Sequence, residues 1–389
     1  MDPQTPQLRE SSRSVAATLP AELQRHIFDW VVSDELFDHR QPGSLTALCL
    51  LNKHWLPVGR KYLYRFVHLQ WGIFERDPDK LLQSLVAHPH LYDNILEIST
   101  FSGHLAGARQ LEALGGVVAT CPHLRGMTIG FGSEHAEHIA GILFQGQDKI
   151  ELLDLKVEMT TELVDAVCSL DKLTRLAVVG DFPEATYAPD FRLKELALHG
   201  KISNLEFQNL VGSSHDSLEY LRLPVSSGAF AVDLSDLHRL RQLVLEKHCE
   251  PFTASDWPLD QTIIFLGRTL RSAAKLASLK VINFTRDGNG GAYWPNFLSC
   301  DDLIWESLPP SLEQLYLRQL TESIDPANIV SFLADRSLAP ALKFLGLQDH
   351  ASVWPAELKT ELAKAAATRK GLEVFWAPEA TIEDECCVM

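Results

Sequence analysis

Along most of this chain the apolar residues return in one short figure: apolar, two intervening residues, apolar, one intervening residue, apolar. It is found as Ile95/Ile98, Leu124/Met127/Ile129, Ile150/Leu153/Leu155, Leu173/Leu176/Val178, Leu193/Leu196/Leu198 and Leu218/Leu221/Leu223. It continues as Leu240/Leu243/Leu245, Leu276/Leu279/Val281, Leu312/Leu315/Leu317, Leu342/Leu345/Leu347 and, in weaker form, Leu372/Phe375. Successive first positions lie 29, 26, 23, 20, 25, 22, 36, 36, 30 and 30 residues apart. The last two apolar residues of each copy are two apart, which puts both on the inner face of a short strand. Helical fragments such as Glu162 to Val167 fall between copies. A recurrence of this length predicts a solenoid of strand-plus-helix units, each burying its apolar face only against its neighbours.

A different period governs the beginning of the chain. Leu23, Ile27 and Val31 recur at helical spacing with Trp30 beside them, while Glu22, Arg25, Asp29 and Ser33 take the other side. Pro20 suits a first helical position, where a missing N–H costs nothing, and Glu22 favours the positive end of the helix dipole. Pro42-Gly43 breaks the chain; Leu45, Leu48, Cys49, Asn52 and Trp55 resume a helical period, and Pro57 opens a third short helix with Val58, Tyr62 and Leu63. Phe66 to Trp71 then alternates like a strand, and Leu81 to Val86 reads as a helix before His88-Pro89. A trihelical unit this small holds more large apolar residues than it can hide, so it predicts a partner.

Leu19, Pro20, Glu22, Leu23, Ile27, Leu48 and Trp55 fall on the pattern of the F-box family, which this segment resembles, and the ending from Leu63 to Leu69 is similar to its fungal variety. The resemblance implies docking on the Skp-type adaptor of a cullin–RING ubiquitin ligase, with Leu19, Pro20, Leu23, Ile27, Leu48 and Trp55 as the adaptor-binding residues. Leu50-Leu51-Asn52 departs from the Val and the Cys or Ser of many members.

The recurring figure resembles the leucine-rich repeat, a family that stacks strand-plus-helix units into a horseshoe. That family's pattern places Asn or Cys eight residues after the first Leu; here Gly132, Glu158, Asp181, Lys201, Ser226, His248, Phe284, Leu320 and His350 stand there. Without that ladder an irregular arc is expected. The expected fold class is α/β: an N-terminal three-helix F-box followed by an irregular leucine-rich-repeat solenoid. The expected divisions are a leader over 1–17, the F-box-like unit over 18–69, the solenoid over 70–379 and an acidic tail over 380–389.

If the strands line the concave side, the third, fifth and seventh positions of each copy point into it. Early copies offer Gly126, Thr128 and Gly130, whereas the later ones supply Tyr220, Arg222, Lys280, Tyr316, Arg318, Phe344 and Trp376. Aromatic residues and Arg dominate binding hot spots, so these seven are the candidate contacts to a substrate protein. The two longest spacings contain the loops 249–258 and 286–295; Tyr293 and Trp294 in the second serve either as a partner contact or as a plug over the core.

Charge narrows the partners. A net charge of -16 and a pI near 5.4 disfavour nucleic acid and anionic lipid, while 46% hydrophobic and 22% charged residues are ordinary for a globular protein. Seven cysteines, at 49, 121, 168, 249, 300, 386 and 387, show neither a disulfide framework nor zinc-spaced pairs, which fits reduced thiols in cytoplasm or nucleus. The start of the chain lacks an apolar signal core and no run of 18 apolar residues occurs. No catalytic signature is present, so neither an enzyme nor a cofactor is indicated, and His135 and His138 read as a solvated helix face rather than metal ligands. Cys386-Cys387-Val388-Met389 fits the prenylation box, with farnesyl on Cys386, so a membrane enters only through that lipid, against the repulsion of Glu383, Asp384 and Glu385. Two main readings result: a substrate receptor of an SCF-type ligase, or a repeat scaffold with no ligase role. An enzymatic reading would require a convergent polar pocket.

Overall fold

The computed structural model describes residues 19–35, 49, 54–71, 78–102, 107–183, 189–200, 202–225, 232–247, 267–283, 305–318, 326–348 and 354–377. Among the described residues α1 (Ala21–Glu35) and α2 (Leu56–Leu63) come first, with Cys49 in a helical position between them. The described strands that follow number twelve, all parallel, hydrogen-bonded in the order in which the chain makes them. They are β1 (Phe66–Trp71), β2 (Glu97–Ser102), β3 (Gly126–Gly130), β4 (Leu152–Lys156), β5 (Arg175–Val178) and β6 (Glu195–Leu198), then β7 (Tyr220–Val225), β8 (Gln242–Lys247), β9 (Ser278–Asn283), β10 (Gln314–Arg318), β11 (Phe344–Gln348) and β12 (Glu373–Ala377). Between them lie α3 (Pro78–Ala87), α4 (Ala108–Thr120), α5 (Ala136–Gln145), α6 (Thr161–Cys168), α7 (Asn204–Val211), α8 (Pro326–Ala334) and α9 (Ala356–Ala367). A parallel sheet in strict chain order with helices between its strands is a solenoid-like α/β arrangement.

The register carries the repeat spacing directly. Residues paired from β2 through to β11 are 29, 26, 23, 20, 25, 22, 36, 36 and 30 apart, the spacings read from the apolar figure. Two apolar ladders therefore run across the sheet. One holds Val67, Ile98, Met127, Leu153, Leu176, Leu196, Leu221, Leu243, Leu279, Leu315 and Leu345, all buried. The other holds Leu69, Ile129, Leu155, Val178, Leu198, Leu223, Leu245, Leu317 and Leu347, interrupted only at Thr100 among the buried positions from β1 to β8. Thr100 is fully buried and satisfies its hydroxyl by donating to the carbonyl of Thr128 at 3.2 Å, which lets a polar residue stand in an apolar row. Both ladders join α4, α5 and α6 in one hydrophobic cluster, so the inner face of the sheet is the helix-covered one.

Local signals set the helix ends. Ser203 and Glu206 form a reciprocal capping box at α7, with Glu206 N–H donating to Ser203 Oγ at 3.2 Å and Ser203 N–H donating to Glu206 Oε2 at 2.7 Å. Thr160 caps α6 by accepting from Leu163 N–H at 3.3 Å. At the far end Arg369, nearly buried, lies against Phe332 and donates to the carbonyls of Phe332, Leu333, Asp335, Leu338 and Ala339. It closes the C-terminus of α8 and the turn after it, where helical carbonyls lack partners.

Two expectations need correction. The boundary at residue 69 falls inside β1: Phe66 packs on the helical unit, but Val67 and Leu69 already belong to the sheet core. The last spacing is 29 rather than 30, because Leu345 pairs with Val374 and Leu347 with Trp376. Gly371, at φ +83°, sits in the turn before this strand, and Leu372 does not take the place of a first ladder position. The Asn-ladder position has no buried equivalent at Glu158, which is exposed between buried Val157 and Met159. The leader, the acidic tail and the loops with Tyr293 and Trp294 lie outside the described residues.

Candidate interaction surfaces

Near the N-terminus, α1 and α2 enclose a small core of Phe28, Cys49 and Trp55. Phe28 stacks on Tyr62 with ring centroids 5.0 Å apart and meets Trp55 at 5.9 Å. Tyr62 donates its hydroxyl to Asp29 Oδ1 at 2.8 Å, and Arg65 reaches the same carboxylate at 4.0 Å. Burial, then the hydrogen bond and negative charge of Asp29, push the Tyr62 phenol up to about 12, while Arg65 and Arg25 pull it back. Burial also raises the Cys49 thiol.

Among the described side chains of α1 the buried ones are Gln24 and Phe28, and Phe28 is the one in the apolar core, so the Leu23/Ile27 stripe is displaced from the core axis. Leu23 is 48% exposed, Pro20 is exposed, and Leu19 and Ile27 are half-buried against the core. Four of the expected adaptor contacts thus border one apolar flank that the described residues leave open. Trp55 does not belong with them: it is 3% exposed and packs on Phe28, so its expected role as a contact is corrected to a core role. Leu48 lies outside the described residues.

On the sheet, the side chains that alternate with the two ladders point away from the helices, as strand alternation requires. The first such row runs Tyr220, Gln242, Ser278, Gln314, Phe344 and Glu373 in direct register. The next runs Arg222, Val244, Lys280, Tyr316, Gly346 and Phe375. Tyr220, Arg222, Lys280, Tyr316 and Phe344 are half-buried on this face, where they were expected. Arg318 belongs to β10, in register with Ile282.

Trp376 is the exception. It occupies the inner ladder, meets buried Trp354 edge-on at 5.3 Å, and carries the Lys359 ammonium 5.1 Å over its ring. A one-residue shift exchanges the two faces of a strand. Phe375, 51% exposed, takes the outward place instead. It continues an aromatic row: Tyr316 and Phe344 are 5.3 Å apart, Phe344 and Phe375 6.2 Å. Gly346 makes this possible, because a Cβ there would come within 2.5 Å of the Tyr316 ring.

The N-terminal strands carry a different outward face. Phe101 lies between His68, at 5.8 Å, and the Lys156 ammonium, at 5.2 Å. Asp154 is half-buried there, and burial raises its carboxyl despite Lys156 and Arg175. Exposed ion pairs edge the sheet: Arg125 with Glu97 at 3.7 Å, Arg175 with Glu195 at 3.5 Å, Lys343 with Glu313 at 2.8 Å.

Sequence reasoning missed Arg239, Arg241 and Lys275, which line two hollows beside β8 and β9. They precede the strands and so escape a reading confined to alternate strand positions. Their signal was present as basic residues flanking Leu240 and preceding Leu276.

Among the described residues no group of three or more His, Cys, Asp or Glu is placed to hold a metal, and no helix is long and apolar enough to cross a membrane. His135 instead packs edge-on against Phe131 at 5.9 Å. No protein-family model matches the chain, and no curated protein matches it.

Proposed function

We propose that this chain is a substrate receptor of an SCF-type ubiquitin ligase. In this reading α1 and its neighbours are an F-box-like unit that docks on a Skp-type adaptor and through it a cullin, and the strand repeats are degenerate leucine-rich repeats that hold a protein target. Catalysis then resides in the partner chains, and the receptor acts by bringing the target close to them.

The observation that carries the reading is the open flank of α1. An exposed Leu23 beside exposed Pro20 and half-buried Leu19 and Ile27 sits on a unit whose own core is three buried side chains among the described residues. Contiguous exposed apolar surface on a small unit marks an interaction site. The adaptor-free alternative, a scaffold that only binds proteins, uses the same sheet face and makes no use of this flank.

Co-expression with a Skp-type adaptor tests it. The adaptor should co-purify with the native chain and be lost with Leu23→Asp, whose folding stability should change by no more than about 0.5 kcal/mol because the site is exposed. A chain that fails to capture the adaptor, or a Leu23→Asp variant that keeps it, leaves the scaffold reading.

A further inference from the structure

Two open hollows adjoin on the sheet at Arg241. One, of about 300 Å³, is framed by Arg241, Ser278, Lys280 and Tyr316; the other, of about 380 Å³, by Arg239, Arg241 and Lys275 with Glu219. The first is a product of side-chain size. Ser278 lies in register between Gln242 and Gln314, and Ala277 precedes it, so two short side chains sit between longer ones.

Its electrostatics run against those of the whole molecule. The chain carries a net charge of -16, yet these hollows gather Arg239, Arg241, Lys275 and Lys280 against Glu219 and Glu313. Glu313 is already held by Lys343 at 2.8 Å. Arg239, Arg241 and Lys275 form no ion pair among the described residues. Next to Lys280, across the strand pairing, begins the Tyr316–Phe344–Phe375 aromatic row.

We infer that this surface binds an extended acidic peptide segment, its carboxylates in the Arg241–Lys280 hollow and a large apolar side chain on the aromatic row. This names the class of target and rests on the receptor reading of the sheet face. The distances set a spacing. Strands lie about 4.8 Å apart, so two to three strands separate the hollow on β9 from the rings on β11 and β12 by about 10–14 Å. An extended peptide advances about 3.3 Å per residue, which places the apolar residue about three or four positions from the acid. Arg forks onto a carboxylate in two parallel hydrogen bonds, and the half-buried Lys280 supplies a second positive charge where solvent screening is reduced.

Selection of random phage-displayed dodecapeptides on the full chain, followed by fluorescence anisotropy on resynthesised peptides, tests the inference. The expected result is enrichment of Glu or Asp about three or four residues from Phe, Trp or Leu, with Kd raised about tenfold by Arg241→Glu with Lys280→Glu. Arg241→Lys, which keeps the charge and loses the fork, should bind more weakly than the native chain and more tightly than the double reversal. Both altered positions face solvent at least in part, and circular dichroism of each variant verifies the fold. Selected peptides with no acidic preference, no enrichment above background, or affinity indifferent to the double reversal would overturn it. Adaptor capture measured on the same preparation separates the two ideas: capture without acidic-peptide binding sinks only this inference, and acidic-peptide binding without capture sinks only the ligase reading.

Discussion

The helical unit and the strand stack solve the burial problem in opposite ways. In the stack each ladder residue is covered by the strand before and the strand after it, so Leu196, Leu221 and Leu243 are all fully buried, and the apolar side chains left exposed, such as Phe144, Leu205 and Phe375, lie off the ladders. The helical unit has no ladder among its described residues. Phe28, Cys49 and Trp55 are buried, while Leu19, Ile27, Leu56, Val58, Tyr62 and Leu63 are only half-covered around them. A repeat array distributes its apolar surface along its length; a small helical unit must leave some of it at the edge. The contrast sets the terms of the proposed reading: the stack buries its ladders by its own packing, and the helical unit is where the proposed adaptor would add cover.

The sharpest break of this comparison is in the middle of the stack. Leu221 is fully buried between Leu196 and Leu243, and Leu221→Ala should cost about 4 kcal/mol, since a rigid ladder cannot collapse onto the cavity. Denaturant unfolding followed by far-UV circular dichroism checks this. An effect below about 1 kcal/mol would mean that the stack is loosely packed and the contrast fails.

Next comes the C-terminal end of the stack. Arg369→Met removes the donors to five carbonyls around the end of α8, each costing about 1–3 kcal/mol if it stays dry. Water reaches some of them after the change, so the expected loss is about 3 kcal/mol, concentrated at this end. Amide hydrogen exchange should show α8, α9 and β12 exposed and β2 to β6 unchanged. Uniform protection across the chain would argue against a local clamp.

Gly59→Ala probes the smaller core. A Cβ at Gly59 would collide with Cys49 Sγ and lie 3.0 Å from the Phe28 ring. The small core of Phe28, Cys49 and Trp55 has no room for the added methyl, so the variant should lose about 2 kcal/mol, an overpacking cost, and, on the proposed receptor reading, shed adaptor capture with it. The stack's unfolding transition should not move. A shift of that transition would show that the two regions unfold as one.

How much of this contrast is legible in the sequence differs between the two regions for a physical reason. A ladder of strands imposes a strict period, so the spacings from Ile95 to Leu342 reappear as strand register without a slip. The exception is instructive: Val374, Phe375 and Trp376 are all apolar, so alternation cannot say which faces the core, and the shorter connection decides it in favour of Val374 and Trp376. In the helical unit the period predicts a helix but not which side of it is inner. Leu23 and Ile27 look like the core stripe; Phe28, one residue round the helix, takes that place because it can stack on Tyr62. Trp55 was legible as part of the pattern and not as buried. The basic residues of the hollow at Arg241 were legible beside Leu240 and Leu276, but the hollow itself was not, because it depends on Ala277 and Ser278 being short opposite residues from strands distant in sequence.

The smallest expected effect sharpens the comparison through pH. Tyr62 Oη donates to Asp29 at 2.8 Å on the rim of the small core, and Tyr62→Phe keeps the ring stacked on Phe28 while deleting that bond. At neutral pH the loss should be below about 1 kcal/mol, since the bond is exposed to water. The phenol is raised from 10.0 to about 12 in the folded unit, so folding favours the protonated form. Its contribution is therefore complete below pH 10 and is lost as pH rises from 10 towards 12, where the unfolded chain releases the proton first. The native unit should weaken across that window and the Phe variant should not, so the two stability curves converge as the medium becomes alkaline. Parallel curves would mean that Tyr62 titrates alike in both states, and that the rim of this unit is open enough to be fully hydrated.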